Sequence, residues 1–576
     1  MEKNWFSQDR FGFMMHWGLY SLPAGEWKGQ QCEYIGEWLQ SRFRIPNAEY
    51  SRLAECFNPV LFDADSIVKH ARDCGMRYLV LTSKHHEGFA MYRSEVDPYN
   101  IYDATPFKRD PILEFAEACY KYDLKLGLYY SQDLDWKDPD GGGYTADHTN
   151  VGGMSWTNDW DYPNNDGKEY ARCFERKIKP QVKEILTRFG DLCLIWFDTP
   201  LTLSVAQSQE LCDMVRMYQP NCLVNSRIGN GLGDYSSLGD NQIPAGRKSG
   251  GLYETAATLN DTWGYKSFDQ NWKSSREMVT LLGRLASRNV NYLLNVGPDP
   301  LGRIPAKAWQ IMDEVGRWME TCGEAIYGTK PSPFAGDLPS GPVTEGEDSL
   351  YFMLSEPARQ RELAVNGIKS RVAKAELLGE GEVSFRQTIL DGQGRSQVSI
   401  VVPESCPDLP VVKITMADGV QVDHQVVQQP EGSLVFPASA SILEGNAKLG
   451  MGGDIEDWMD EGVCVTWPFT IFEAGWYEVE ITCGSAYGQE WIGGHRLRFA
   501  AGDAQLEGEL VYKRELDPLT KRNYRGAVGS IGRIYIEKPG EYTATLQAIA
   551  LNPQASNGFL FRSVRLQSRG FELPSS

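Results

Sequence analysis

The chain has 576 residues, 42% hydrophobic and 23% charged, with a formal net charge of −20. That length exceeds what one hydrophobic core can organise and predicts about two to four domains. The acidic balance speaks against nucleic acid or an anionic membrane as partner, since both require basic surface.

The 12 cysteines show no C-x-x-C pair and no dense cluster, so neither a zinc knuckle nor a disulfide framework is expected. No run approaches ~18 uninterrupted apolar residues. The opening "EKNWFSQDRFGFMMHWG" lacks a basic region followed by an apolar one. A cytoplasmic protein with reduced thiols is the expectation, or a secreted or periplasmic one if a signal has been lost.

Taken in chain order, the first 330 or so residues alternate strand and helix. "FGFMMHWG" (11–18) reads as a strand. "DADSIVKHARDCG" (63–75) reads as a helix, capped by Asp63 or Asp65 and stopped by Gly75. "RYLVLTSKHH" (77–86) is the second strand. "DPILEFAEACYKY" (110–122) has Asp at the cap and Pro at the first helical position, with Ile112, Leu113, Ala116, Cys119 and Tyr120 as its apolar stripe. "LKLGLYYS" (124–131) is a strand, and a long helix over 168–189 leads to "LCLIWFD" (192–198). Helix 204–218 precedes "CLVNSR" (222–227). "GLYETA" (251–256) is strand-like, helix 274–287 precedes "NYLLNVGP" (291–298), and helix 306–321 follows. Apolar strands alternating with amphipathic helices predict a parallel sheet. About eight strands over this length suit a closed (β/α)₈ barrel better than an open sheet. No Gly-rich phosphate loop opens any helix, and no cofactor is expected.

Beyond residue 335 the pattern becomes short β runs separated by Gly, Pro and Asp, which predicts antiparallel sandwiches. "QPEGSL" (429–434) reads as a linker. The expected domains are a (β/α)₈-like barrel over 1–335, a β-sandwich over 336–430 and a second one over 431–576.

Side chains at the C-terminal ends of barrel strands converge on one mouth. Here those ends carry His16 and Trp17, His85 and His86, Tyr129 and Tyr130, Trp196 and Asp198, Arg227 and Glu254, with Asp240 in the loop beyond Arg227. Three histidines and a carboxylate could bind zinc. However, adjacent strand residues face opposite ways, so His85 and His86 cannot both point inward unless the strand has ended, and no H-x-H or H-E-x-x-H is present. Aromatics, neutral histidines, an arginine and carboxylates together suit a glycosidase, in which one carboxylate attacks the anomeric carbon and another acid protonates the leaving oxygen.

The strings "FGFMMHWGLYSLPAGEW", "EYIGEWLQSRFRIPNAEY", "YLVLTSKHHEGFAMYRS", "GLYYSQDLDW", "LIWFDT", "GLYETAATLNDTWGY" and "NYLLNVGPDPLGRIP" together resemble the α-L-fucosidases of glycoside hydrolase family 29. The resemblance spans roughly residues 5–330. It implies a retaining mechanism without a metal on a barrel followed by β-sandwich material, acting on a small-molecule or oligosaccharide substrate with terminal fucose. By motif, Asp198 matches the nucleophile, and His16, Glu37, Trp38, His85, His86, Tyr130, Trp196, Arg227 and Trp263 match positions that line the fucose pocket. Tyr130 rather than Tyr129 is a choice of register. Asp240 in "GDYSSLGDNQIP" is favoured as acid/base where relatives carry Glu, with Glu254 in "YET" as the alternative. Residues 431–576 resemble a carbohydrate-binding module, with a structural or oligomerising role as the other reading. Neighbouring expectations are a glycosidase for a related L-sugar or galacto-configured glycoside, or a catalytically silent sugar-binding scaffold.

Overall fold

Runs of buried apolar residues with no polar alternation make strands that can only lie between two covered faces. Eight strands form the parallel sheet of the first part of the chain, most of them such runs: β1 (Phe11–Met15), β2 (Tyr78–Lys84), β3 (Lys125–Tyr130), β4 (Leu192–Phe197), β5 (Leu223–Val224), β6 (Ser236–Ser237), β7 (Tyr253–Thr258) and β8 (Asn291–Val296). The computed structural model describes residues 4–145, 156–354, 362–403, 409–485, 490–516 and 525–568. Cys406 and the end of the expected third domain lie outside them. The ladder runs in chain order from β5 back to β1, then through β8 and β7 to β6. A parallel bridge between Asn225 and Tyr235 joins the two end strands, so the sheet closes on itself. β6 is the eighth strand that the sequence pattern did not show, and the strand read over 251–256 is therefore the seventh.

The helices follow capping chemistry. α1 (Ala64–Asp73) starts at Asp63, whose carboxylate accepts from Ser66 N. α2 (Pro111–Tyr122) starts at Asp110, which accepts from Leu113 N. The inward face of α2 is Ile112, Phe115, Ala118 and Cys119, whereas Leu113 and Tyr120 are exposed. The expected stripe was rotated, because Phe115 at i+3 from Ile112 outweighs Ala116. The helix expected over 168–189 contains a π turn at Phe174–Ile178 before α3 (Lys179–Arg188). α4 (Val205–Tyr218) carries a capping box from Ser204 and Gln207. α5 (Ser275–Ser287) and α6 (Ala306–Cys322) follow β7 and β8. Among the described residues no α-helix stands between β5 and β6 or between β6 and β7, and loops take their place.

The chain divides into two compact units. The first is Met1–Ser237 with Gly251–Ser275 and Asn291–Glu320, and it holds all eight strands. The second is Leu238–Gly250 with Arg276–Val290 and Thr321–Ser576. Its β material has two apolar cores, one within 334–422 and one within 426–566, each lying among antiparallel sheets. The stretch read as a linker is instead a tight turn closed by Gly432 N to Gln429 O at 2.8 Å. It feeds strand Ser433–Pro437, which pairs with Phe561–Ser568.

Candidate active site

Strand parity decides which side chains reach the barrel interior. On β1, Met14 is inside, so His16, two residues on, stands at the mouth. On β4, Leu194 and Trp196 are inside, and Asp198 follows with the same parity. On β3, Tyr129 is inside, where its ring stacks on Trp196 at 5.6 Å. β2 ends at Lys84, so His85 and His86 leave the pleat and both rings reach the same side, 4.1 Å apart.

Asp198 is the centre of the arrangement. Its Oδ2 accepts from the Tyr129 hydroxyl at 2.8 Å, and its Oδ1 accepts from Arg227 at 3.0 Å and from Thr199 N at 3.0 Å. His86 Nε2 stands 3.8 Å from Oδ2. The Arg227 guanidinium lies 4.6 Å over the Trp196 ring, a cation–π contact in a site shielded from water. Thr199 adopts φ +49°, a left-handed conformation that a β-branched residue takes only under constraint.

The histidines are oriented by partners. Asn295 Nδ2 donates to Trp263 O at 2.9 Å, so its Oδ1 accepts from His16 Nδ1 at 2.7 Å. The Ser131 hydroxyl donates to Leu134 O at 2.8 Å and therefore accepts from His86 Nδ1 at 2.7 Å. These bonds assign a proton to Nδ1 of each ring. Burial, then the neighbouring His86 and His16, holds His85 well below its ordinary pKa, so it is neutral. Its Nδ1 is buried with no hydrogen-bond partner.

Trp38 and Trp263 complete the wall, at 5.3 Å from His86 and 5.1 Å from His16. Glu37 accepts from Gly264 N at 2.8 Å, and Gly36 N donates to Thr262 Oγ1 at 2.9 Å. The Glu37 carboxylate thus ties together the loops that carry the two indoles.

The geometry revises two of the positions expected from the sequence. Tyr130 has the outward parity and donates to Gln181 Oε1 on α3 at 2.9 Å, while Tyr129 is the tyrosine at the carboxylate. Glu254 does not end its strand. It is the second residue of β7, in register with Asn291 at the start of β8, and is fully buried beneath the mouth. There it accepts from Trp196 Nε1 at 2.9 Å and Tyr78 OH at 2.8 Å. Burial pushes its pKa up to about 7 against those two donors. Asp240 stands in a half-buried turn of the segment 238–250, which is counted with the second unit.

The sequence did not point to the buried amides that brace the site. Gln132 Oε1 accepts from Asp198 N at 2.8 Å and its Nε2 donates to Arg227 O at 2.9 Å. Asn225 exchanges two bonds of 2.9 Å with the backbone of Phe197. Side-chain amides replace ladder bonds where the strands have already ended. Only their position just past a strand end could have marked them. Among the described residues, the donors that converge as metal ligands would are His70, Cys74 and Asp313 on α1 and α6, not the histidines of the pocket.

A parallel barrel whose mouth holds a bonded carboxylate among histidines and indole rings has the makings of a glycoside hydrolase. A family model described as α-L-fucosidase matches residues 1–324, more than half of the chain, and the chain belongs to the α-L-fucosidase family. A putative α-L-fucosidase of Caenorhabditis elegans is 30% identical over 353 residues, 57% of this chain and 67% of that protein. The crystal structure of α-L-fucosidase from Vibrio sp. strain EJY3 matches with a TM-score of 0.86 at 28% identity, covering 98% of this chain and 97% of that one. AlfC from Lactobacillus casei, in complex with its α-L-fucose product, is 54% identical with a TM-score of 0.54, covering 56% of this chain and 99% of AlfC. A variant of AlfC has also been solved with Fucα(1,6)GlcNAc.

Proposed function

We propose that the chain is a retaining exo-α-L-fucosidase in which Asp198 is the nucleophile and Asp240 the acid/base. The observation that carries this reading is the bonding of Asp198. Oδ1 is held by Arg227 and Thr199 N, and Oδ2 faces the pocket between Tyr129 and His86. The distance of 3.8 Å between His86 Nε2 and Oδ2 is too long for a direct bond.

In the first step Oδ2 attacks the anomeric carbon, the glycosidic bond breaks, and the leaving oxygen takes a proton from the acid. In the second, the same acid, now a base, takes a proton from water. The water oxygen displaces Asp198 and releases fucose with its original anomeric configuration. The full burial of Glu254 supports Asp240 as the acid, since a carboxyl beneath Trp196 cannot reach a leaving oxygen that opens to solvent. The likeness to AlfC supports an α(1,6)-linked fucose on GlcNAc as a substrate.

Asp198→Gly is expected to lose several orders of magnitude in rate and to regain part of it with azide, yielding fucosyl azide of inverted configuration. Asp240→Ala is expected to lose Fucα(1,6)GlcNAc hydrolysis while keeping first-step activity on an aryl fucoside, whose leaving group needs little protonation. Near-normal kcat in Asp198→Gly overturns the nucleophile. The selective pattern in Glu254→Ala instead of Asp240→Ala reverses the acid.

A further inference from the structure

The turn that carries Asp240 is small and closed by a backbone bond together with the Gln242 side chain. Gly239 N donates to Gln242 Oε1 at 2.9 Å, and Gln242 N donates to Gly239 O at 2.9 Å. Asp240 therefore sits inside a ring whose shape depends on the Gln242 amide. The other end of that amide rests on the β-hairpin Lys448–Leu449/Ile455–Glu456, far along the chain. A Cβ placed on Gly452, in the hairpin tip, would lie 2.5 Å from Gln242 Nε2 and 3.7 Å from its Cδ, so the amide nitrogen points at the glycine.

The contact continues along the segment. Ala245 N donates to Gly452 O at 2.6 Å. Gly246 approaches Ser439 so closely that a Cβ there would meet its hydroxyl at 2.1 Å. The buried Lys248 reaches Gly450 O at 3.3 Å. On its other side Lys248 N donates to Arg288 O at 2.9 Å. Within the second unit, the segment is thus gripped between the end of α5 and the last β-module.

We infer that the hairpin tip Gly450–Asp454 of the last β-module positions the turn of Asp240, making that module a positioning element of the fucosidase reaction. This rests on the assignment of Asp240 as acid/base proposed above. The role differs from that of a passive appendage. A change in the module should alter proton delivery to the leaving group and nothing else in the pocket.

Gly452→Ala tests this gently, because the only close neighbour of the new methyl among the nearest atoms is the flexible end of Gln242. The full chain is assayed on Fucα(1,6)GlcNAc and on an aryl fucoside with a good leaving group. The expected result for Gly452→Ala and for Gln242→Ala is a loss of about 10- to 100-fold in kcat on the disaccharide, with aryl first-step activity and Tm close to those of the parent. In an Asp240→Ala background the Gly452→Ala change should add no further loss, since both act on one step. Equal losses on both substrates, no loss on either, or full additivity with Asp240→Ala overturns the inference. If Asp240→Ala shows the selective loss and Gly452→Ala does not, only this inference falls. If Asp240→Ala itself spares the disaccharide, the acid assignment falls first.

Discussion

Asp198 offers two unequal oxygens. Oδ1 accepts from a guanidinium and from the next backbone N–H, while Oδ2 accepts from one phenol. On the proposed reading the less encumbered Oδ2 forms the glycosyl bond, and Tyr129 both aims it and must release it. Charge leaving Oδ2 in that transition state would weaken the Tyr129 bond, and charge returning would restore it. Tyr129→Phe is therefore expected to lower kcat by about 10²-fold, the usual scale for one donor at a reacting oxygen. Tyr130→Phe removes a bond to Gln181 and is expected to cost about 1 kcal/mol of stability with kcat little changed. Steady-state kinetics on the two variants decide the register, and the opposite ranking restores Tyr130. The left-handed φ of Thr199 serves the same arrangement, because it turns the backbone N–H of Thr199 back onto Oδ1.

At the scale of the element, β7 carries an acid where a barrel strand usually carries an apolar layer. Glu254 has its pKa raised from 4.5 to about 7 by burial. Folding therefore favours the protonated form, and the stability linked to that proton is complete below the unfolded pKa. It is lost as pH rises toward 7, over a range worth roughly 3 kcal/mol. Glu254→Gln holds the neutral shape at every pH. Relative to that variant, the parent is expected to lose Tm steadily from pH 5 to 7.5, and parallel curves for the two proteins would show that Glu254 is ionised throughout. Buried Glu87, raised to about 8 by burial, titrates in both proteins and cancels in the comparison.

The same strand shows what the sequence made legible and what it did not. Long apolar runs such as Tyr78–Lys84, and helices with a capping Asp such as α1 and α2, declare themselves through period and cap. The strand ends then give His16, His85, His86 and Asp198. "GLYETA" shows that a strand exists but not where the pleat starts, and a shift of two residues moves Glu254 from the mouth to the layer below. Tyr129 and Tyr130 differ by one residue, and parity is fixed only by the register with β2 and β4. β6 is two serines long and has no period to read. Gln132 and Asn225 act through amides, which carry no hydropathy signal.

For the whole molecule, the family likeness has two extents. The Vibrio enzyme matches 98% of the chain, whereas AlfC matches 56% of it. Within the second unit, the stretch that bears Asp240 bonds to Gly452 through Ala245 and to Arg288 through Lys248.

The closure of the barrel has a consequence for how it breathes. β1 and β8 meet over five paired residues, but β5 and β6 are two residues each. They are held by Asp234 N to Val224 O at 2.7 Å, Ser226 N to Tyr235 O at 2.8 Å and the Asp234 carboxylate, which takes Val224 N at 2.8 Å and pairs with Arg216. A short seam opens at lower free energy than a long one. Under native conditions the amides of Val224, Ser226 and Asp234 are expected to exchange deuterium well before those of Phe13 and Leu294. Arg227, in the turn after β5, spans from this seam to Asp198 on β4. A fucose-shaped inhibitor that holds Arg227 should therefore slow exchange at the seam and leave the β1–β8 side unaffected, and uniform protection around the ring would show that the barrel opens as one piece.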